Sequence, residues 1–219
     1  MTHLDIEIRQ LREDIKEMIT LTLGQINKVK EAFLTLDRDL AREIVFYERR
    51  INSLELKIDR DCENILALLS PVAIDLRFVL ASLKINSSLE RIADNAEGLA
   101  NYVNEVKNPF SEELIKNIGL IEMFNVAEQM LSDVCVAFDT EDTTVAHSVF
   151  HKDEKLNQLN MKAALALEKF IKSHLDQTYE SLFVLSAARK LERVGDIAKN
   201  IAEEIIFYIE AKVLKHKKD

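Results

Sequence analysis

A six-residue phrase occurs twice in this chain of 219 residues, as LERIAD at positions 89–94 and as LERVGD at positions 191–196. The two phrases lie 102 positions apart (191 − 89). A second pair of related segments, at 48–54 and 153–159, lies 105 positions apart (153 − 48). Repetition at a nearly fixed interval indicates a tandem duplication of one structural unit. The shorter interval of the first pair predicts a shorter connection between the two motifs of the second copy.

The composition is typical of long helices. Only four Gly and two Pro interrupt the chain, no Trp is present, and 47% of the residues are hydrophobic. Such a chain has few turn-forming residues and enough apolar surface for a sizeable core. The formal net charge of −9 disfavours nucleic acid as a partner, because phosphate binding depends on clustered Lys and Arg. We therefore expect an all-α protein whose partners are cations or basic proteins.

Apolar residues at three- and four-residue steps predict six long helices. Their C-terminal ends are expected at about residues 36, 69, 107, 138, 173 and 214, and the fourth is expected to run unbroken from about residue 112. Asp37 can cap the second helix. Ser70 is expected to cap the third helix, with Pro71 at its first helical position.

Long helices with short connections pack as antiparallel bundles. The segment from Asn108 to Ser111 marks the boundary between the two copies. We therefore expect a tandem repeat of two three-helix bundles, the first formed by residues 1–107 and the second by residues 108–219.

Targeting signals are not evident in the sequence. No apolar run approaches the roughly 20 residues that span a bilayer, and the N-terminus lacks the pattern of a signal peptide. Cys62 and Cys135 have no metal-type spacing and are expected to be reduced thiols. These features predict a cytoplasmic protein that does not insert into a membrane.

Carboxylates form a stripe beside the apolar seam of the second and third helices. If these two helices turn back at Ser70, antiparallel register places Glu48 opposite Asp94 and Asn52 opposite Glu90. The first copy is therefore expected to gather three carboxylates and one amide on neighbouring turns.

The second copy repeats this layout on its own last two helices. A turn near His174 places Asp153 opposite Asp196 and Asn157 opposite Glu192. Two matched acidic patches are expected, one in each copy.

Crowded carboxylates repel one another unless a cation neutralises them or their pKa values rise. Oxygen ligands suit hard cations such as Mg²⁺, Mn²⁺ or Ca²⁺, and also iron. The alternative is neutralisation in surface ion pairs by neighbouring basic residues, namely Arg49, Arg50, Arg91, Lys190 and Arg193. We favour cation binding, because both patches are duplicated in register.

Enzymatic interpretations find less support in the sequence. None of the five His follows a Glu by three positions, as the Glu-x-x-His pairs of di-iron bundles require. The chain also lacks a Gly-rich phosphate loop and a Gly-x-Ser-x-Gly nucleophile motif. We therefore expect a protein that is not an enzyme.

The duplicated Glu-Arg-hydrophobic-small-Asp phrase, with PVAIDLR at 71–77 and NIAE at 200–203, resembles the PhoU family of phosphate-transport regulators. The resemblance covers both copies in order. It implies metal motifs at Glu90 and Asp94 and at Glu192 and Asp196. Their implied partners on the preceding helices are Glu48, Asn52, Asp153 and Asn157. The implied cofactor is Mn, Mg, Fe or Zn.

Three positions depart from the family pattern. Ala93 replaces the usual Gly of the first motif, Asn157 stands where a second Asp is common, and Asn101 occupies the place that matches Glu203. The last two changes lower the number of carboxylates.

The resemblance also implies a function. Such a protein would be a cytoplasmic adaptor, commonly a homodimer, that negatively regulates phosphate uptake and the phosphate-starvation response. It would contact the ATPase of the phosphate ABC importer and a sensor histidine kinase. Asp75 and Arg77 at the start of the third helix are candidate partner contacts. The alternatives are an accessory protein of another inorganic phosphate transporter and a metal-dependent enzyme or metal-storage bundle.

Overall fold

The computed structural model describes residues 2–214, which form seven α-helices and one short 3-10 turn. The helices are α1 (His3–Thr35), α2 (Arg38–Leu69), α3 (Ala73–Glu105), α4 (Glu112–Ile118), α5 (Leu120–Thr140), α6 (Thr143–Ser173) and α7 (Thr178–Glu210), and the 3-10 turn is Leu175–Gln177. No strand occurs within this range. The prediction of an all-α fold is therefore confirmed, and none of these helices is long and apolar enough to cross a membrane.

Short polar side chains begin three of the long helices. Thr2 and Asp5 form a reciprocal capping box at α1. Asp37 accepts a hydrogen bond from the Leu40 N–H at α2, as the sequence predicted, and Asp142 accepts from two N–H groups at the start of α6. Each such cap satisfies backbone donors that the first turn of a helix leaves unpaired.

The predicted start of the third helix is wrong. Ser70 ends α2 in the left-handed conformation, with φ of 48°, and does not cap α3. The helix begins only at Ala73, two residues after Pro71, and Val72 at its N-cap makes no side-chain cap bond. The residue before a proline is disfavoured in the right-handed helical region, so Ser70 leaves the helix there.

The predicted fourth helix is divided into two. Gly119 has φ of 76° and donates its N–H to the carbonyls of Ile115 and Lys116, which ends α4 after seven residues. Glycine adopts this left-handed conformation without the steric cost of a side chain. The last helix is also shorter than predicted, because Ala211 terminates α7 in the same conformation. Residues 215–219 of the second predicted domain lie outside the described residues.

The two copies form one packed body. Helices α1, α2 and α3 make the first bundle, and α5, α6 and α7 make the second, with α4 packed against it. Equivalent helices meet between the copies, because α1 packs against α5 and α3 packs against α7. Helix α2 contacts only α1 and α3 within the described chain, so that α2 and α6 lie on the outer sides.

Apolar and charged contacts both join the bundles. Phe33 of α1 stacks on Phe110 of the connection, with ring centroids 4.1 Å apart. Lys30 Nζ lies 3.0 Å from Glu128 Oε2 between α1 and α5, and Lys84 Nζ lies 3.0 Å from Glu204 Oε2 between α3 and α7. The buried apolar residues of both copies form one continuous core. The boundary at residues 107 and 108 falls in the connection between α3 and α4, and the division of the chain into two domains stays a prediction.

Candidate functional site

Glu48 lies on the buried stripe of α2 and not beside it, which corrects the expected layout. Ile44, Glu48 and Ile51 follow one another at steps of four and three, and all three are buried. Glu48 is only 6% exposed, and its Oε1 atom has no hydrogen-bond partner. A buried carboxylate oxygen without a partner is costly, and such atoms are uncommon in folded proteins.

The other carboxylates of the first copy surround Glu48. Burial raises the pKa of Glu48 to about 7, and the negative charges of Asp94, Glu97, Glu90 and Glu55 add to this effect. Asp94 is the strongest of these neighbours, which agrees with the predicted register of the two helices. We call the five carboxylates together with Asn52 the first cluster.

The first cluster opens into a surface cleft. Glu48, Asn52, Asp94 and Glu97 line this cleft together with arginine side chains of α2. Burial is also the main cause of the raised pKa values of Glu55 and Glu90. None of the five carboxylates has a Lys, Arg or His nitrogen within 4.0 Å among residues 2–214. Arg91 acts on Glu90, and Lys190 acts on Asp94 and Glu97, from longer range. Neutralisation by basic residues in the first copy is therefore partial and involves no close ion pair.

The second copy builds an equivalent group of side chains. Asp153 of α6 is only 1% exposed and, like Glu48, lies on the buried stripe of its helix. Burial and the charge of Asp153 raise the pKa values of Glu192 and Asp196 on α7. We call Asp153, Asn157, Glu192, Asp196 and the neighbouring Lys199 the second cluster.

Lys199 gives the second cluster an internal cation. Its Nζ atom lies 3.0 Å from Asp153 Oδ2, and Asn157 Nδ2 donates to the same oxygen over 3.3 Å. The other carboxylate oxygen of Asp153, Oδ1, and the amide oxygen of Asn157, Oδ1, are buried without a hydrogen-bond partner. All eight residues predicted as metal ligands are thus distributed over two clusters, four in each copy.

Three residues of these clusters are not among the site residues predicted from the sequence, namely Glu55, Glu97 and Lys199. The repeat interval could have identified Lys199, because it lies 102 positions after Glu97 (199 − 97), the interval of the duplicated phrase.

The donor chemistry of the first cluster fits a hard cation. No three Asp, Glu, His or Cys side chains in the described part of the chain converge closely enough to hold one metal ion. Coordination would therefore require rotation of the surface side chains of Asp94 and Glu90 toward the buried Glu48. The unpartnered Glu48 Oε1 is an oxygen ligand of the kind that Mg²⁺ and Mn²⁺ prefer.

The two candidate partner residues lie at one end of the molecule. Arg77 Nε donates a hydrogen bond of 3.2 Å to the carbonyl oxygen of Tyr208, in the last turn of α7. Asp75 lies half-buried in the first turn of α3, beside the exposed side chains of Val72 and Ile74. Arg77 therefore links the two copies, whatever else it contacts.

These features define a class of protein, the duplicated helical bundle with one acidic cluster between the last two helices of each copy. The sequence profile of the PhoU domain matches the chain twice, at residues 15–103 and 120–205. The chain belongs to the PhoU family.

Comparisons with individual proteins agree with this assignment. The chain is 30% identical over 210 residues to the phosphate-specific transport system accessory protein PhoU of Edwardsiella tarda, covering 96% of this chain and 86% of that protein. The crystal structure of PhoU from Pseudomonas aeruginosa superposes with a TM-score of 0.88 at 27% identity, covering 96% of this chain and all of that one. The phosphate transport system regulatory protein PhoU from Streptococcus pneumoniae gives a TM-score of 0.87 at 28% identity, over 97% of this chain and all of that one.

Proposed function

We propose that this chain is a cytoplasmic, non-enzymatic regulator of phosphate homeostasis. The observation that carries the proposal is the match of both repeats to the PhoU domain, with similarity to named phosphate-transport accessory proteins over nearly the whole chain. In this role the chain restrains phosphate uptake and the phosphate-starvation response when phosphate is plentiful.

Restraint of this kind requires contact with the proteins that transport and sense phosphate. We infer that the partners are the ATPase subunit of the phosphate ABC importer and a sensor histidine kinase, and that the chain acts as a homodimer. The outer helices α2 and α6 support this inference, because each offers a long face that the rest of the chain leaves uncovered. The exposed side chains Phe46 and Leu56 on α2 and Met161 on α6 provide apolar contact area on these faces.

The acidic clusters are candidate sites for a metal cation, in addition to the protein partners. We propose that a divalent or iron-type cation, Mn, Mg, Fe or Zn, occupies at least one of the two clusters, and its candidate ligands are the eight predicted positions Glu48, Asn52, Glu90, Asp94, Asp153, Asn157, Glu192 and Asp196. The cation would neutralise the repulsion that, together with burial, raises the pKa values of Glu48, Glu90, Glu192 and Asp196. Each cluster lies between two helices, α2 and α3 in the first copy and α6 and α7 in the second. A bound cation would therefore hold these helices together and reduce the motion of the α2 and α6 faces that contact partners.

Deletion of the gene tests the regulatory role. Cells that lack the protein should express a phosphate-starvation reporter even in high phosphate, and the wild-type gene should restore repression. Crosslinking in phosphate-replete cells should recover the importer ATPase and the kinase with the chain. A reporter that stays repressed in the deletion strain, with phosphate uptake altered, would instead favour an accessory protein of another phosphate transporter.

A further inference from the structure

The two clusters differ at Glu55, which has no counterpart in the second cluster, and at one position where the sign of the charge is reversed. Glu97 of the first copy and Lys199 of the second occupy equivalent positions, 102 residues apart (199 − 97). Glu97 adds negative charge beside the buried Glu48. Lys199 adds positive charge beside the buried Asp153. The same place in the repeat therefore holds an anion in one copy and a cation in the other.

This exchange leaves the two buried carboxylates in different states of neutralisation. Asp153 Oδ2 receives both the Lys199 ammonium at 3.0 Å and the Asn157 amide at 3.3 Å. Glu48 Oε1 receives no hydrogen bond. A buried carboxylate is stabilised only when a cation or hydrogen-bond donors compensate for lost hydration. In the second copy such a cation contacts the buried carboxylate directly. In the first copy Lys190 acts on Asp94 and Glu97, but Glu48 itself forms no ion pair among residues 2–214.

We propose that Lys199 is a built-in substitute for the metal ion in the second cluster, so that divalent cations bind the first cluster selectively. This inference rests on the proposed metal binding and assigns it to one copy. A divalent ion entering the second cluster would have to displace the ammonium of Lys199 or bear its repulsion at close range. Lys199 is held there by Asp153, Asp196 and Glu203, whose negative charges favour its protonated form.

Matched variants of the duplicated glutamates test the assignment. The full-length chain is stripped with a chelator, dialysed against MnCl₂ alone and analysed for bound manganese. We expect Glu90→Gln to lose the manganese of the wild-type protein and Glu192→Gln to retain it. Equal loss in the two variants, or greater loss in Glu192→Gln, would overturn the assignment while leaving metal binding itself intact.

Exchange of the two charged residues provides the reciprocal test. Glu97→Lys should abolish manganese uptake, because it places an ammonium in the first cluster. Lys199→Glu should increase manganese uptake above that of the wild-type protein, because it removes the internal cation and adds a ligand. If Lys199→Glu binds no more manganese than the wild-type protein, Lys199 is not what keeps metal out of the second copy, and the inference fails.

Thermal unfolding separates metal binding from a folding defect. In chelator, Lys199→Met should melt below the wild-type protein because Asp153 loses its ammonium, and added Mn²⁺ should recover much of this loss. Lys199→Arg keeps the charge and should melt like the wild-type protein without a larger response to Mn²⁺. Failure of Mn²⁺ to raise the Tm of Lys199→Met contradicts the inference. Absence of manganese in both the wild-type protein and Lys199→Glu would refute the proposed metal binding as well.

Discussion

Arg77 donates a hydrogen bond from Nε to the main-chain carbonyl of Tyr208, and so ties the start of α3 in the first copy to the end of α7 in the second. The last carbonyls of a helix have no partner within the helix, and a positive charge there is favourable. A residue that sequence analysis assigned to partner binding therefore also has a place in the fold.

Replacement of Arg77 by alanine should lower the free energy of unfolding by about 1 to 2 kcal/mol, because a hydrogen bond from a charged donor is lost. Urea unfolding followed by circular dichroism measures the effect. Asp75→Asn, in the same helical turn, serves as the control and should change stability little. If Arg77→Ala unfolds like the wild-type protein yet loses the importer ATPase in crosslinking, Arg77 acts mainly as a partner contact.

Protonation of Glu48 should make stability depend on pH in chelator. The pKa of this carboxyl rises from its usual 4.5 to about 7 on folding, so the native state keeps a proton that the unfolded chain has lost in this window. Stability contributed by Glu48 is therefore greatest below pH 4.5, falls as the pH rises towards 7, and changes little above. The free energy of unfolding falls by at most about 3 kcal/mol, because a shift of one pKa unit corresponds to about 1.4 kcal/mol.

Glu48→Gln isolates this contribution, because glutamine resembles the protonated carboxyl at every pH. We expect the variant to be more stable than the wild-type protein at pH 8 and nearly equal to it at pH 4, both measured by urea unfolding in chelator. A variant that is less stable than the wild-type protein at pH 8 would show that the Glu48 carboxylate is already compensated in the native state.

Much of the architecture could be predicted from the repeat and the helical periodicity, because both are properties of the chain alone. The division of the fourth helix at Gly119 could not, since an isolated glycine is also tolerated within helices. The late start of α3 after Pro71 has a similar cause, because proline fits both the first turn of a helix and the residues just before it.

Helix register predicts which side chains of the site lie opposite one another. Antiparallel pairing of the second and third helices alone predicts Glu48 beside Asp94. The burial of Glu48 does not follow from residue type, because glutamate is rarely buried without a partner. Its spacing of four from Ile44 and three from Ile51 is the signal that places it on the apolar stripe. Packing of the two copies into one core was missed as well, since periodicity within a helix does not say which helix covers its apolar face.

That shared core predicts a single unfolding transition for both copies. Phe33 of α1 stacks on Phe110 and lies 6.1 Å from the ring of Phe124 on α5, so one side chain serves both bundles. Phe33→Ala should cost about 3 to 5 kcal/mol, because it leaves a cavity in this region. Hydrogen exchange should show protection lost together in α2 and α6. Loss confined to the first copy would mean that the copies unfold as separate domains.

Gly195 of the second copy leaves room for Leu156, and this contact provides a test of packing between α6 and α7. A Cβ atom at Gly195 would lie 2.5 Å from Leu156 Cδ1, and Leu156 is fully buried and cannot turn into solvent. Gly195→Ala therefore combines overpacking, which costs about 1 to 3 kcal/mol, with a gain of about 1 kcal/mol in helix propensity. We expect Gly195→Ala to lower the free energy of unfolding, measured with urea, by up to about 2 kcal/mol.

The variant Leu156→Ala provides the control for this prediction. In that background the space is open, and the same glycine replacement should stabilise the protein by up to about 1 kcal/mol. If Gly195→Ala has the same effect in both backgrounds, the close approach of Leu156 is not what limits the side chain at this position.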